Sequence, residues 1–585
     1  MEVEKKGTEQ QEKASRKAKG GLLTMPFIIA NEAFEKVASY GLLPNMIFYL
    51  MNEYKMGVTE ATNLIFYWSA ATNFMPLVGA FVSDSFLGRF LTIGLGSIAS
   101  LLGTIQLWLT AMVPRVRPVP CVQVTQHCKP SSPGQYTLLL SSFGLMSVGA
   151  GGIRACSLAF GADQLTARDH LNNERVLERF FGWYYASAAI SVLIALTGLV
   201  YIQDHMGWKV GFGVPSILMF FSGLLFFLAS SLYVKEKANK SLFTGFLQVS
   251  VVAYKNRRLD FPPHDSNGYY HREKGSAYTS PTDKLRFLNK ACIIKNLQDV
   301  SSTGVSLNEW KLCTIDQVEE LKALIKVIPL WSTGIMAAIN MSQSSFPLLQ
   351  ANSMDRRITS GFQIPAGSFG MFNIITLTIW VVLYDRVILP LASKLAGKKI
   401  HLGVKLRMGI GIFLSCMAMM VSGIVEHVRG RKAIAQGLEN DPRGVVKMSA
   451  LWLVPQNCLS GLSEAFNAIG QTEFYYSEFP KSMSSIASSL FGVGMAVANL
   501  LASVVLSTVD SATKGGGKES WVSSNINKGH YEFYYWLLAI MTLFNLVYFV
   551  LCSWAYGPCA ERCGHENGIE GNGVEENMSL QGTAC

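Results

Sequence analysis

The sequence predicts an all-α membrane protein with twelve transmembrane helices in two six-helix bundles. Of the 585 residues, 50% are hydrophobic and only 15% are charged. The apolar residues form about a dozen runs that reach the roughly 18–20 residues needed to span a bilayer as a helix. The runs come as six, a long polar break and six more. This is the layout of a carrier whose two halves rock about a site near the membrane midplane.

The predicted spans divide the chain into five parts. We expect a polar tail over 1–20, a first bundle over 21–234, a linker over 235–320, a second bundle over 321–556 and a second tail over 557–585. The twelve spans are expected near 26–51, 62–83, 91–112, 136–160, 181–203, 210–234, 323–346, 367–391, 407–426, 448–472, 483–508 and 533–556.

The positions of the basic residues predict the orientation. A net charge of +10 is compatible with nucleic-acid binding, but the lysines and arginines cluster in the amino-terminal tail and the linker. Cytoplasmic segments carry such clusters, so we expect cytoplasmic termini and no nucleic-acid partner. One basic segment disagrees, because this topology places it outside: Arg429, Arg431, Lys432, Arg443 and Lys447.

The linker is expected to be only partly ordered. Its first part, SLFTGFLQVSVVAYKNRR, alternates apolar and basic residues like an amphipathic helix lying on a membrane surface. Its middle, DFPPHDSNGYYHREKGSAYTSPTDK, is polar and is expected to be disordered or loosely held.

The cysteines and the sequence motifs do not indicate catalysis. Cys121 and Cys128 share a predicted outer loop, where they either form a disulfide or remain free thiols. Cys559, Cys563 and His565 resemble metal ligands, but an isolated cluster in a tail is weak evidence for a site. The sequence has no nucleophile elbow and no phosphate-binding loop. We therefore expect neither an enzyme nor a cofactor or metal site.

The first predicted span contains three ionisable residues, Glu32, Glu35 and Lys36. Their spacings of three and four place them on one side of a helix. Charges at this depth are costly unless they face a cavity or a partner. Since two carboxylates and one ammonium cannot neutralise each other, one carboxylate needs another cation or a proton, as a proton-driven carrier requires.

Two further charges lie in predicted spans, Arg154 and Glu464. If all five groups share one cavity, three carboxylates face two cations and become neutral with one bound proton. An anionic solute would then require a second proton, so that import carries positive charge inward. The alternative is a purely structural cluster of salt bridges.

The motif Gly79-Ala-Phe-Val-Ser-Asp-Ser-Phe-Leu-Gly-Arg89 links the second and third predicted spans. Asp84 and Arg89 can pair with each other, with helix ends or with a facing helix, and so form a cytoplasmic latch that contributes to gating. The alternative is an ordinary charged loop. The sequence from Arg89 to Thr92 also fits a basic-directed kinase site in outline, so a regulatory kinase is a possible partner, although Thr92 also suits a helix cap.

Several aromatic residues near these charges are candidates for a pocket lining, and they are equally suited to packing or lipid contact. They are Tyr40, Trp183, Tyr184, Tyr185 and Trp331.

Combined motifs make the chain resemble the proton-dependent oligopeptide transporter family, and specifically its plant branch, the nitrate transporter 1/peptide transporter family. The motifs are Glu32-x-x-Glu35-Lys36, the loop ending at Arg89, Phe160-Gly-Ala-Asp-Gln164, Phe180-Phe-Gly-Trp-Tyr-Tyr185, Trp310-Lys-Leu-Cys313, Gln317-Val-Glu-Glu320, Met354-Asp-Arg356, Phe362-Gln-Ile-Pro365, Tyr384-Asp-Arg386 and Arg407-Met-Gly409. The run over 20–50 looks like the subfamily described as carrying nitrate.

The resemblance implies a major facilitator fold and proton symport. We expect the protein in a plant membrane, the plasma membrane. It implies proton coupling by Glu32, Glu35 and Lys36. Arg154 matches the family's fourth-span cation and Glu464 its tenth-span carboxylate. In peptide-carrying relatives, these two hold the peptide's carboxylate and amino end respectively.

The seventh predicted span departs from some nitrate-binding relatives, whose histidine would fall near Asn340 or Met341. Nitrate would then be held by Arg154 and by neutral donors such as Asn340, Ser342 and Gln343, with low affinity. We therefore expect import of nitrate with protons. An organic anion such as gibberellin, or a di- or tripeptide, is the first alternative, and a solute sensor derived from a transporter is the second.

Overall fold

The structure is a computed structural model. It describes residues 20–117, 131–166, 173–235, 242–261, 269–272, 280–295, 306–308, 310–359, 361–397, 402–515 and 519–558. The cysteine pair Cys121 and Cys128 lies outside the described residues, as does the tail cluster of Cys559, Cys563 and His565. The predictions for both groups therefore remain predictions.

The first half of the chain forms long helices that follow the predicted spans closely. The helices are α1 (Met25–Asn52), α2 (Val58–Val82), α3 (Arg89–Met112), α4 (Pro133–Thr166), α5 (Asn173–Ile194) and α6 (Val200–Leu228). π-helical turns follow α2 at Ser83–Leu87 and α5 at Ala195–Leu199. Inside α6 the helix is broken at Gly207, whose φ of 77° suits glycine, so α6 consists of two helical segments that meet at a kink there.

The linker and the second half contain the remaining elements. In chain order they are α7 (Leu242–Lys255), α8 (Arg286–Asn289), α9 (Ile315–Ser342), α10 (Ser345–Asn352), β1 (Met354–Asp355), β2 (Arg357–Thr359), β3 (Phe362–Gln363), α11 (Met371–Leu383), α12 (Leu389–Ala396), α13 (Val404–Ala435), β4 (Val446–Ser449), α14 (Val454–Glu478), α15 (Ser484–Thr513) and α16 (Tyr531–Tyr556). A π-helical turn at Tyr384–Ile388 joins α11 to α12. Strand β1 pairs in parallel with β4, and β2 pairs antiparallel with β3.

Among the described residues, nine helical stretches are long and apolar enough to cross a membrane. One of them, 179–231, contains the break at Gly207. Helices α1 and α14 are not among the nine, and they carry four of the five charges of the candidate site, while the fifth, Arg154, lies on α4. The chain is thus a largely helical membrane protein as predicted, while the count of twelve spans remains a prediction.

Small residues let the helices of the first half approach closely. A Cβ atom on Gly149 of α4 would collide with Ser100 and with the backbone of Gly96 in α3, and one on Gly151 would collide with Met75 in α2. Close approach of backbones is how helices pack in a membrane, where apolar lipid provides no hydrophobic drive for association. This packing fixes α4, and with it Arg154, against its neighbours.

The linker is more ordered than its composition suggests. Helix α7 is present as predicted. Val249 and Val252 are buried in a small core with Leu288 and with Ile315 of α9, while Leu247 and Tyr254 on the same helix are exposed, and its placement on a membrane surface stays a prediction. Burial in this core raises the pKa of the Cys292 thiol to about 12.

Described parts of the linker's polar middle are anchored as well. The backbone N–H of His271 donates to the carbonyl of Cys292. Thr282 donates to Glu319, and Lys322 donates to the carbonyl of Thr282 at 2.8 Å. The expectation of a loosely held segment is therefore wrong for these residues, because hydrogen bonds to α9 replace the missing apolar surface.

The basic segment that contradicts the predicted topology has a structural explanation at Arg429. Helix α13 continues to Ala435, so Arg429 lies in a helix and is fully buried. Its guanidinium pairs with Glu426 at 2.7 Å and also donates to Asn527 and to the carbonyl of Ile526. Because Arg429 is buried and paired, its charge stabilises the packing of the helices. It does not indicate which side of the membrane the segment occupies.

The two halves are joined by polar contacts on one side of the membrane. We call the helix ends on the side where α1 begins proximal, and those on the opposite side distal. Near the distal ends, Asn63 of α2 bonds to Ser503 and Ser507 of α15 at 2.8 and 2.9 Å. In the same region Nη1 of Arg356 lies 3.9 Å from Oδ2 of Asp204, within the range of a salt bridge. The described distal ends are therefore closed against each other.

Candidate functional site

The centre of the candidate site is an ion pair between α1 and α4. The guanidinium of Arg154 donates from Nη2 to Oε1 of Glu35 at 2.9 Å and from Nε to both carboxylate oxygens at 3.2 Å. Ser39, one turn along α1, also donates to Glu35 at 2.6 Å. Charge-assisted bonds of this kind are roughly twice as strong as neutral ones, so the pair fixes α1 to α4 while it is intact.

A second ion pair lies one turn away on α1. Lys36 Nζ is 3.2 Å from Glu32 Oε1, as the spacing of four residues predicts. The other oxygen, Oε2, is buried and accepts no hydrogen bond from the described residues. The Tyr184 hydroxyl on α5 is a neighbour of this carboxylate, without a hydrogen bond of normal geometry. Glu32 thus keeps one oxygen open to a proton or a donor.

The carboxylates and the cations differ in exposure. The side chains of Glu35 and Glu32 are 1% and 2% exposed, whereas those of Arg154 and Lys36 are 18% and 17% exposed. Both cations also lie over the ring of Tyr40, at 5.5 and 5.8 Å from its centroid. The site therefore presents positive charge and an aromatic face to solvent, with the acids behind.

Glu464 is separate from this cluster. It lies on α14 in the second half and accepts a hydrogen bond from Asn373 of α11 at 3.2 Å. None of the described cations forms an ion pair with it. The structure thus brings four of the five predicted charges together as two neutral pairs and leaves Glu464 without a counter-ion. This differs from the single five-charge cavity considered from the sequence.

The other predicted solute contacts are engaged in packing. The amide of Asn340 donates to Ser415 and Thr542, each at 2.8 Å, inside the second bundle. The Gln343 amide donates to Ile339 and accepts from Tyr534. Both side chains are buried, so the structure does not bring them to a surface that a solute can reach. Position in the seventh span could not reveal this, because it does not say which way a side chain points.

Trp331 joins two helices of the second half. Its indole N–H donates to the carbonyl of Leu490 at 3.0 Å, and the ring lies beside Gly494 of α15. Of the remaining aromatics, Tyr184 is buried whereas Trp183 and Tyr185 are largely exposed. Of the predicted pocket aromatics, Tyr40 is the one that touches the cations.

The loop between α2 and α3 is held to a facing helix. Arg89 pairs with Asp163 of α4, a residue of the Phe160–Gln164 motif. Asp84, in the π-helical turn, lies within electrostatic range of Arg89 but is not its hydrogen-bonded partner. The Thr92 hydroxyl is buried and donates to the carbonyl of Gly88, so Thr92 supports the start of α3 and is not exposed to a kinase.

Three residues around the site were missed from the sequence. Ser39 could have been found, since it lies four residues after Glu35 on the same helical face. Asp163 belongs to a quoted motif but had no assigned partner. Asn373 is a polar residue in an apolar span, which is a signal of function or packing that went unused.

Comparison with known proteins is consistent with this architecture. Residues 90–522 match the family model described as the POT family. The chain is 62% identical to Protein NRT1/PTR FAMILY 1.2 of Arabidopsis thaliana over 568 residues, covering 96% of this chain and 94% of that protein. It is 60% identical to Protein NRT1/PTR FAMILY 1.1 of the same plant over 585 residues, covering 99% of each.

A solved structure has the same fold at low sequence identity. The crystal structure of an auto-inhibited POT family peptide transporter superposes with a TM-score of 0.68 at 20% identity, covering 92% of this chain and 98% of that one. The fold is therefore the major facilitator fold that the resemblance implied. The family match and the two plant relatives show that this chain is a transporter of the POT family, in its NRT1/PTR branch.

Proposed function

We propose that this protein imports nitrate together with protons by alternating access, with both termini in the cytoplasm and the plasma membrane as its location. The observation that supports the proposal is the pair of Glu35 and Arg154. It joins a buried acid to a partly exposed cation on a different helix. An anion and Glu35 would compete for the same guanidinium.

The competition suggests how the proton and the anion are coupled. While Glu35 is ionised, it occupies both Nε and Nη2 of Arg154. A proton on Glu35 removes its negative charge and weakens those bonds, so that Arg154 becomes available to a solute anion. Nitrate is planar and can accept two parallel N–H bonds from the guanidinium fork.

Two protons for each nitrate would make import carry positive charge inward. One proton on Glu35 balances the charge of the bound anion. A second, on Glu32 or on Glu464, adds one net positive charge. Glu32 has an unpartnered buried oxygen and Glu464 has no counter-ion among the described residues, so either can take it. We therefore expect nitrate to evoke an inward current at acidic pH.

The three polar contacts at the distal ends support a direction of transport. If the proximal side is cytoplasmic, as the basic amino terminus predicts, the structure represents a carrier closed to the outside. The pair of Arg89 and Asp163 would then lie at the cytoplasmic end, where we propose that it and Asp84 control opening of that side.

The substitution Glu35→Gln tests the coupling. The amide imitates a permanently protonated acid, so proton-driven nitrate uptake in oocytes should be lost while surface expression is retained. The matched control is Glu53→Gln on the distal end of the same helix, where Glu53 pairs with Arg117 away from the site. Uptake by Glu35→Gln that keeps the wild-type response across external pH 5–8 would refute the proposal.

A zwitterionic solute such as a dipeptide is the second candidate. Glu464 supports it, because a carboxylate without a described cation partner can hold an ammonium group and would repel a small anion. In this case Arg154 holds the solute's carboxylate. The solved relative named as a peptide transporter supports the same candidate at the level of the fold.

Currents recorded in oocytes separate the candidates. Nitrate, a dipeptide and gibberellin are applied singly and in competition at acidic pH. Glu464→Gln should reduce a dipeptide current strongly. It should reduce a nitrate current little if Glu32 carries the second proton, and strongly if Glu464 does. Binding of any of these solutes without an evoked current or uptake would instead indicate a sensor.

A further inference from the structure

A groove of about 1040 Å³ lies between the two halves at the distal ends, separate from the charge cluster on α1. It is lined by the first turns of α2, the start of α4, the end of α15 and the loop after it. Its polar rim carries the carboxylates Glu60, Asp510 and Glu519 together with Lys514, and several serine hydroxyls. The groove is therefore built from both halves of the protein.

The polarity of the groove changes with depth. Glu60 and Lys514 lie at helix ends, whereas Tyr67 is nine residues from the start of α2, or about 14 Å at 1.5 Å per residue. Tyr67 and Leu140 are 53% and 49% exposed and lie at the deeper end. If the helix ends lie in the headgroup layer, which is about 5–8 Å thick on each side, the rim lies at headgroup depth and these two residues lie at acyl-chain depth.

The charges at the rim are incompletely paired. Glu519 is 3.0 Å from Lys528. Among the described residues, neither Glu60 nor Asp510 forms an ion pair, and the same holds for Lys514. Within the described part of the rim, one ammonium and two carboxylates thus have no ion-pair partner, an arrangement that complements a zwitterion and repels a second negative charge.

We propose that this groove binds a phospholipid with a phosphoethanolamine headgroup. Lys514 takes the phosphate, and Glu60 and Asp510 take the primary ammonium, which can donate three hydrogen bonds to carboxylates and serine hydroxyls. One acyl chain lies along Tyr67 and Leu140. The charge balance of the rim selects this zwitterion over phosphatidylglycerol, whose headgroup is anionic.

A bound lipid would affect the balance between conformations. The hydrogen bonds of Asn63 to Ser503 and Ser507 hold α2 against α15 beside the groove. Opening of the distal side moves these helices apart and takes Glu60 away from Lys514. The lipid therefore stabilises the distal-closed conformation, because it binds that conformation more tightly.

Native mass spectrometry of the full-length protein tests the site. The protein is titrated with phosphatidylethanolamine, phosphatidylglycerol or diacylglycerol of identical acyl chains. We expect phosphatidylethanolamine to bind about tenfold more tightly than either of the others, as two partly exposed charge contacts allow. In Glu60→Gln/Asp510→Asn this preference should disappear. It should persist in Glu439→Gln, which removes an exposed carboxylate from the same side of the membrane outside the groove.

Each outcome decides the proposal. Equal binding of the two phospholipids by the wild-type protein would refute it, and this measurement does not depend on any variant folding. If soluble glycerophosphoethanolamine binds as tightly as the whole lipid, the acyl chains contribute nothing and the lipid assignment is wrong. If nanodiscs with phosphatidylethanolamine do not increase cross-linking between cysteines placed at Asn63 and Ser507, the conformational claim fails.

Discussion

Two buried acid–base pairs in this protein are built in different ways. Glu35 and Arg154 join two helices, and the arginine is 18% exposed. Glu426 and Arg429 lie three residues apart on one helix, and both side chains are 1% exposed. The first pair leaves part of the guanidinium open to solvent. The second is enclosed by Gln350, Asn527 and the carbonyl of Ile526.

The difference indicates what each pair can do. A pair whose remaining donors and acceptors are all occupied has no group left for a solute, so it can only hold the fold together. A pair that bridges two helices and faces solvent can exchange one partner for another. Conformational change in a transporter requires exchangeable contacts such as Glu35–Arg154. Rigid bundles require enclosed contacts such as Glu426–Arg429.

The largest effect is expected from Arg429→Ala. It leaves Glu426 as an unpaired charge in a dry interior, at a cost of about 3–5 kcal/mol. We expect a large fall in the thermal unfolding midpoint of the detergent-solubilised protein. Lys432→Ala, on an exposed position of the same helix, is the matched control. Similar midpoints for the two variants would show that the enclosed pair does not stabilise the bundle.

The next effect is expected from Arg154→Ala. Nitrate uptake should fall by at least about tenfold, since the guanidinium offers two charge-assisted bonds to an anion. The unfolding midpoint should fall less than in Arg429→Ala, because water and protons can reach Glu35 once the guanidinium is gone. Arg154→Lys keeps the charge but loses the fork, and should recover uptake only in part. A midpoint as low as that of Arg429→Ala would mean that both pairs are structural.

A smaller effect is expected from Lys36→Gln. It removes the ion pair with Glu32 at 3.2 Å and should change uptake by a few fold, with an altered dependence on external pH. Lys36→Arg retains the charge and serves as the control. An unchanged pH profile in Lys36→Gln would remove Glu32 and Lys36 from the coupling scheme.

The smallest effect on transport is expected from Asn340→Ala. Two hydroxyls lose their donor, which should lower stability by about 1–2 kcal/mol while the KM for nitrate stays at its wild-type value. Radiotracer uptake at several nitrate concentrations measures the KM, and thermal unfolding of the detergent-solubilised protein measures the loss of stability. An increase in KM without loss of stability would return Asn340 to the solute site, as its position in the sequence suggested.

Local spacing predicted the parts of the site that lie within one helix. Glu32 and Lys36 are four residues apart and do pair. The partner of Glu35 is 119 residues away, and the sequence left open which acid Arg154 meets, since that depends on how α1 packs against α4. The sequence likewise does not show which way the side chains of Asn340 and Gln343 point. In the structure both point into their own bundle.

The fold was predictable where hydropathy alone decides it, and less so where polar groups are buried. The span expected to end at residue 426 continues to Ala435, because Arg429 finds partners on the loop before α16. The linker's composition likewise gave no indication of its small core. In both places, residues distant in sequence bond to or bury groups that the sequence predicts to be exposed to solvent.

The linker helix touches both halves of the transporter. The ring centroid of Phe243 in α7 lies 6.1 Å from that of Phe81 at the proximal end of α2. Val249 of α7 packs in the core that includes Ile315 of α9. Helix α7 therefore packs mainly on the second bundle, where Phe243 also contacts the core around Val327, and it reaches the first bundle through the ring of Phe243. If the two bundles move apart at this end during each transport cycle, the contact between Phe243 and Phe81 should break and re-form, so a fluorophore pair placed on α7 and α2 would report transport in real time.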